Sequence, residues 1–321
     1  MIRLKELDVL RGIAALNVVI FHYTSKFRLN FGHNYSPLYD WELGRYGVEL
    51  FFMISGFVIF MSLQHNISIE AFARKRFVRL YPEYWICVCL TFLVLTIARD
   101  PKIATVSMPV LMLNLTMIHG VFDISNVDGV YWSLIPELIF YFSIGLLYYF
   151  GQFRRIKVLG FAWLLLMILH SIFQLPFGAY FLNLQYGMFF MAGILFYKIK
   201  FEDGGWAEHL LIAFSFIAAM CSHPGFLHFY VYLLIYFLFY LFVYGWLRSL
   251  SWKPLLFLGY ISYPLYLIHQ NVGFVMMRFL GRYLTNDLVI LMLTIVTMIT
   301  LAWLIAGLTK AGFKIIRTAR P

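Results

Sequence analysis

Stretches of about twenty mostly apolar residues, recurring from one end of the chain to the other, constrain this sequence more than anything else in it. They fall at about 7–27, 46–64, 82–98, 129–150, 157–174, 178–197, 206–222, 226–246, 255–280 and 288–309. Most are long enough to cross, as a helix, the ~30 Å hydrocarbon layer of a bilayer, and some are short enough to be tilted or partly buried in the bundle. A composition that is 62% apolar and 12% charged, with a mean hydropathy of +0.81, excludes a soluble globule. The expectation is an all-α fold. It is a polytopic transmembrane bundle of about ten helices, one integral-membrane domain over residues 1–321 with no fused soluble domain. Residues 104–119 are also apolar, but Pro109, Asn114 and His119 interrupt them, so a re-entrant or interfacial piece is expected there.

The net charge of +10 does not point to nucleic acid, because the basic residues lie between apolar runs rather than on a soluble face. Alternate loops divide them unequally. One side, with both termini, carries seventeen Lys and Arg, and the other carries seven. Cytoplasmic loops concentrate such residues, so both termini are expected in the cytoplasm and the helix count is expected to be even. Cys87, Cys89 and Cys221 lie inside apolar runs with no metal-ligand spacing to His, so neither a metal site nor a disulfide framework is expected. The first run lacks a small-residue cleavage site and does not resemble a signal peptide. No internal repeat stands out. The abundant Phe and Tyr suit lipid-facing packing and interfacial belts.

Ionisable residues inside these runs are the functional candidates, because burying charge in hydrocarbon is costly. Arg11 and His22 are eleven residues apart on the first helix. That spacing returns to within about 20° of one face and separates the side chains by roughly 16 Å along the axis. With the N-terminus inside, Arg11 lies near the cytoplasmic face. His22 and Glu137 are expected roughly 8–10 Å below the outer surface, and His269 roughly 15 Å deep. Glu49 is expected at the outer mouth of its helix. Two imidazoles and a carboxylate at comparable depth suit proton transfer near neutral pH. Ser262 and Tyr266 precede His269 by seven and three residues, which puts their hydroxyls near its face. On the cytoplasmic side, Arg76 and Arg79 are spaced to hold a phosphate group, although residues 74–79 serve equally as topology determinants and headgroup contacts. His269 alone reads equally as a buried structural imidazole, and His119 and His170 read as structural or interfacial.

Five blocks of the chain resemble, in order, the integral-membrane acyltransferase-3 family. They are LDVLRGIAALNVVIFHY, GVELFFMISGFVI, RFVRLYP, YWSLIPELIFY and ISYPLYLIHQ, running from Leu7 to about Gln270. The resemblance implies a membrane-bound O-acyltransferase, by preference an O-acetyltransferase, using cytoplasmic acyl-CoA (acetyl-CoA) as co-substrate. It also implies a carbohydrate or glycolipid acceptor exported to the cell envelope, membrane lipids as surroundings, and a location in the bacterial inner membrane. His22 matches the family's essential histidine and Arg11 the basic member of the same block. Arg76 and Arg79 match the Arg-x-x-Arg pair assigned to the CoA phosphates. Glu137, Tyr266 and His269 match weaker blocks. Glu49 stands where Asp is commoner, and no soluble hydrolase-like extension follows the last helix.

The resemblance implies His22 as general base or transient acyl carrier, with Glu137 or His269 orienting it or relaying the proton. Arg11, Arg76 and Arg79 serve the cofactor, and Glu49, Ser262 and Tyr266 the acceptor. A rival reading from another class is a proton-coupled transporter or flippase of a glycan or lipid, which would use the same buried His and Glu.

Overall fold

The computed structural model describes residues 3–32, 40–64, 67–175, 180–202 and 204–318, without the side chains of 312–318. Helix is the only regular secondary structure among them. The helices are α1 (Lys5–Phe21), α2 (Phe27–Phe31), α3 (Gly47–Leu63), α4 (Ile69–Ala98), α5 (Met108–Asn114) and α6 (Leu134–Tyr149). There follow α7 (Ile156–Phe173), α8 (Gly187–Phe201), α9 (Trp206–Ser222), α10 (Phe226–Val243), α11 (Lys253–Leu280) and α12 (Asp287–Thr318). Among the described residues, seven helical stretches are long and apolar enough to cross a membrane. This is an integral membrane protein built as a helical bundle.

The last helix runs on to Thr318, past the expected 309, and three other boundaries depart from the sequence expectation, each for a local reason. The first helix does not stop near residue 27. A π-helical turn, His22–Lys26, joins α1 to α2 and carries it on to Phe31. The third apolar run begins at residue 82, yet α4 begins at Ile69. Ala71, Ala73 and the basic residues that follow are good helix formers, and hydropathy marks only the membrane-facing part of a helix. Conversely, α8 begins at Gly187 rather than near 178, a position outside the described residues. Asn183, buried and left-handed at φ 51°, holds the chain in turns and donates from Nδ2 to the Pro136 carbonyl at 3.1 Å.

The chain divides into two units. One consists of Met1–Leu10, Val48–Lys75 and Pro136–Trp252. At its centre is α8, buried on every side from Gly187 to Tyr197, as expected of a helix apolar all round. Helices α3 and α8 approach almost to backbone contact. A Cβ on Gly56 would lie 2.1 Å from the Phe190 oxygen, and one on Gly193 would lie 2.0 Å from the Met53 oxygen. Small residues permit such crossings between apolar helices.

The other unit consists of Arg11–Gly47, Arg76–Ile135 and Lys253–Pro321. Here α11 packs along α12 and crosses α1 closely, since a Cβ on Gly12 would lie 2.5 Å from the Gly259 nitrogen. The interrupted apolar segment forms α5, seven residues long and too short to span a bilayer. Its terminal carbonyls need donors, and α4 supplies them. Tyr84, Trp85 and Tyr81 donate to the oxygens of Asn114, Leu115 and Thr116 at 2.7, 2.9 and 2.8 Å. The buried Asn114 side chain then bonds Val110, Ser125 and the Val127 amide, which fixes the loop leading to Asp128.

Candidate active site

The second of these units brings two of the expected residues into direct contact. His269, fully buried on α11, places Nε2 3.1 Å from Nδ1 of His22, which opens the π-turn after α1. The rings meet edge to face, with centroids 4.8 Å apart. The widened turn assists this. Its backbone bonds reach back five residues instead of four, so carbonyls one turn earlier remain open to side chains. His22 Nδ1 lies 2.9 Å from the Val18 oxygen, and Thr24 Oγ1 donates to the Ile20 oxygen at 2.7 Å.

The acceptors define the tautomers. His269 Nδ1 lies 2.8 Å from the Tyr266 carbonyl, which can only accept, so this nitrogen carries the proton. The Nε2 of a neutral His269 is then a lone pair aimed at His22 Nδ1. That nitrogen also faces the Val18 carbonyl and must itself be N–H. The remaining basic atom of the pair is His22 Nε2. Gln270 lies within hydrogen-bonding reach of the same ring and can turn its amide to follow the ring's protonation.

Several groups that sequence reasoning did not single out hold this pair in register. Tyr23, fully buried, donates its hydroxyl to the His269 carbonyl at 2.6 Å. The ring fits only because residue 273 is glycine: a Cβ there would lie 2.1 Å from the Tyr23 oxygen. Two residues past His269, Asn271 is clamped by Asp128. Its amide donates to Asp128 Oδ2 at 2.9 Å, while the Val130 amide takes Oδ1 at 3.2 Å. Burial pushes the Asp128 carboxyl up to about 7, with the Asn271 and Val130 amides pulling the other way. Asp128 precedes a helical turn and reads in sequence as an ordinary cap; Tyr23 reads as an interfacial aromatic. The adjacency of Tyr23 to His22 was the one available signal.

The other expected residues are placed as follows. Tyr266 binds through its backbone to His269, and its hydroxyl is within 2.6 Å of Ser133 Oγ and 3.2 Å of the Val130 oxygen. Ser262 is buried and donates to the Gly259 carbonyl of its own helix at 2.9 Å. Arg11 adjoins the Gly12–Gly259 crossing. On α4, Arg79 is exposed and lies 3.7 Å from Glu83, while Arg76 is partly buried. Glu49 and Glu137 fall in the other unit, in the first turns of α3 and α6. The Glu137 carboxylate accepts from Ser55 Oγ at 2.6 Å and from the Tyr141 hydroxyl.

Comparison with known proteins gives the chain a family. The chain is 28% identical over 182 residues to the acyltransferase MdmB of Streptomyces mycarofaciens, covering 55% of this chain and 46% of that one. It is 24% identical over 157 residues to nodulation protein 10 of Rhizobium leguminosarum bv. viciae, covering 44% and 43%. ORF330 of Acidianus two-tailed virus, provisionally named an acetyltransferase, is 27% identical over 278 residues, covering 81% and 80%. The chain thus spans less than half the length of the first two relatives. No solved structure matches. The family model described as an acyltransferase domain matches residues 4–307, nearly the whole chain and including both histidines, and the protein belongs to the acyltransferase-3 family.

Proposed function

We propose that this chain is a membrane-bound O-acyltransferase of the bacterial inner membrane. It moves a short acyl group, acetyl by preference, from cytoplasmic acyl-CoA to a hydroxyl of an exported glycan or glycolipid. The observation that carries the reading is the His22–His269 hydrogen bond, which leaves one basic nitrogen on an imidazole whose other nitrogen is anchored. His22 Nε2 takes the proton of the acceptor hydroxyl as that oxygen attacks the thioester carbonyl. The new C–O bond forms, the C–S bond breaks, and the departing thiolate takes up the proton. While His22 is charged, His269 Nε2 and the Val18 carbonyl accept from its Nδ1–H, the part a carboxylate plays in other triads. Arg76 and Arg79 hold the donor phosphates, with Arg11 along its path. Tyr266 is a positioning residue for His269 and Ser262 is assigned to the acceptor, while Glu49 and Glu137, which fall in the other unit, are given no part in this step. Family membership and the acyltransferase name of the Streptomyces relative support acyl transfer.

The test is transfer from labelled acetyl-CoA to surface glycan by purified protein in detergent. Wild type should form product, and His22→Ala should lose about 10²–10⁴-fold in kcat, the usual contribution of a general base. Near wild-type activity in His22→Ala would refute the base. CoA-independent behaviour of the wild type would return the chain to the transporter reading, since a transporter forms no acylated product.

A further inference from the structure

The same unit places a further cation around the carboxylate that Arg79 faces, from a helix outside the five blocks that carry the family resemblance. On α4, the Arg79 guanidinium lies 5.4 Å from the ring centroid of Tyr263 and 3.7 Å from Glu83. On α12, Lys310 holds Nζ 3.7 Å from the ring centroid of Tyr260. Tyr260 and Tyr263 are one turn apart on α11 and therefore neighbours on its surface. Glu83 ties the two sides together. Thr309 donates to it at 3.4 Å, and its carboxylate is electrostatically coupled to both Arg79 and Lys310. Two cations, Arg79 and Lys310, thus share one carboxylate, and both are exposed to an incoming ligand.

We infer that Lys310 is a third ligand for the phosphate groups of the donor. The inference rests on the reading of acyl-CoA as that donor. Coenzyme A carries a diphosphate and a separate 3′-phosphate, more negative charge than two guanidiniums neutralise. A paired Arg fork grips one group through two parallel hydrogen bonds, whereas an ammonium serves as a point charge for another. The Tyr260 and Tyr263 rings hold the two exposed cationic heads over α11, in place before the donor arrives. Lys310 would pass in sequence as one more basic residue of a C-terminal tail.

The experiment uses the full chain in detergent, with Lys310→Gln and Lys310→Arg. Calorimetry reads CoA binding at low and high salt, and the transfer assay reads KM for acetyl-CoA and kcat. Lys310→Gln should raise both the CoA Kd and the KM about tenfold, the factor equivalent to about 1.4 kcal/mol. Its kcat at saturation should hold, and the salt dependence of binding should weaken. Lys310→Arg should recover most of the affinity. Unchanged CoA binding in Lys310→Gln, with wild type binding and using acyl-CoA normally, would overturn the assignment and leave Lys310 as a packing or headgroup contact. Failure of the wild type itself to bind CoA would remove the donor reading, and this inference with it.

Discussion

The imidazole pair and the cation cluster share helix α11, but they are held by different physics. Around His22 and His269 the partners are buried and the contacts are direct, from 2.6 to 3.1 Å. Both Nδ1 atoms and His269 Nε2 have designated partners, leaving His22 Nε2 for the chemistry, and in a low-dielectric interior an unmade bond is expensive. Around Arg79 and Lys310 the contacts are longer, 3.7 to 5.4 Å, and the charged heads face outward. There the useful quantity is charge density, which salt screens and which tolerates small displacements. One end depends on position and the other on sign. Substitutions at the first should act on kcat and be indifferent to salt; those at the second should act on donor affinity and be sensitive to it.

The largest effect that would sharpen this contrast is His269→Ala. It leaves His22 Nδ1 with only the Val18 carbonyl and frees the ring to turn. We expect kcat to fall by about 10²-fold, a typical acid–base contribution, with CoA affinity and its salt dependence unchanged. A loss of CoA binding in this variant would break the separation of the two regions.

Next is Gly273→Ala. The added methyl would sit 2.1 Å from the Tyr23 oxygen and displace the hydroxyl that holds the His269 carbonyl. Overpacking of this kind costs about 1–3 kcal/mol, so the thermal midpoint should fall together with kcat. Unchanged kcat would show that the register of α11 at His269 does not matter to the chemistry.

The smallest effect concerns Asp128. Its carboxyl is raised by burial from the ordinary 3.8 to about 7, so the folded protein binds the proton more tightly than the unfolded chain does. Stability should therefore decline as pH rises from about 4 to about 7 and level off above that. Asp128→Asn should flatten this part of the profile in detergent melts. An unaltered profile would assign the pH dependence to other groups.

Much of the helical framework was legible from apolar runs alone, because a bilayer imposes a length on each segment. The last run, expected from residue 288, begins at Asp287. Errors appeared where hydropathy is silent. Residues 69–81 are helical but interrupted by charged side chains, and the left-handed Asn183 interrupts a run that hydropathy reads as continuous. His22 and His269 were legible as candidates because imidazoles in hydrocarbon demand an explanation. Asp128 was not, since a carboxylate at a helix start explains itself locally.

By itself, the sequence determined the membrane class, the placement of most helices and the individual residues worth suspecting. Those depend on composition and on spacing along one helix. Only the tertiary structure decided that His22 meets His269 and which nitrogen is left basic. It likewise settled that Tyr23 and Asp128 hold the pair in place, and that Lys310 joins Arg79 around Glu83. The physical reason is that a partner 246 residues away along the chain, such as the His269 carbonyl that Tyr23 binds, leaves no trace in local periodicity. It is selected by the close approach of helices that a few glycines allow.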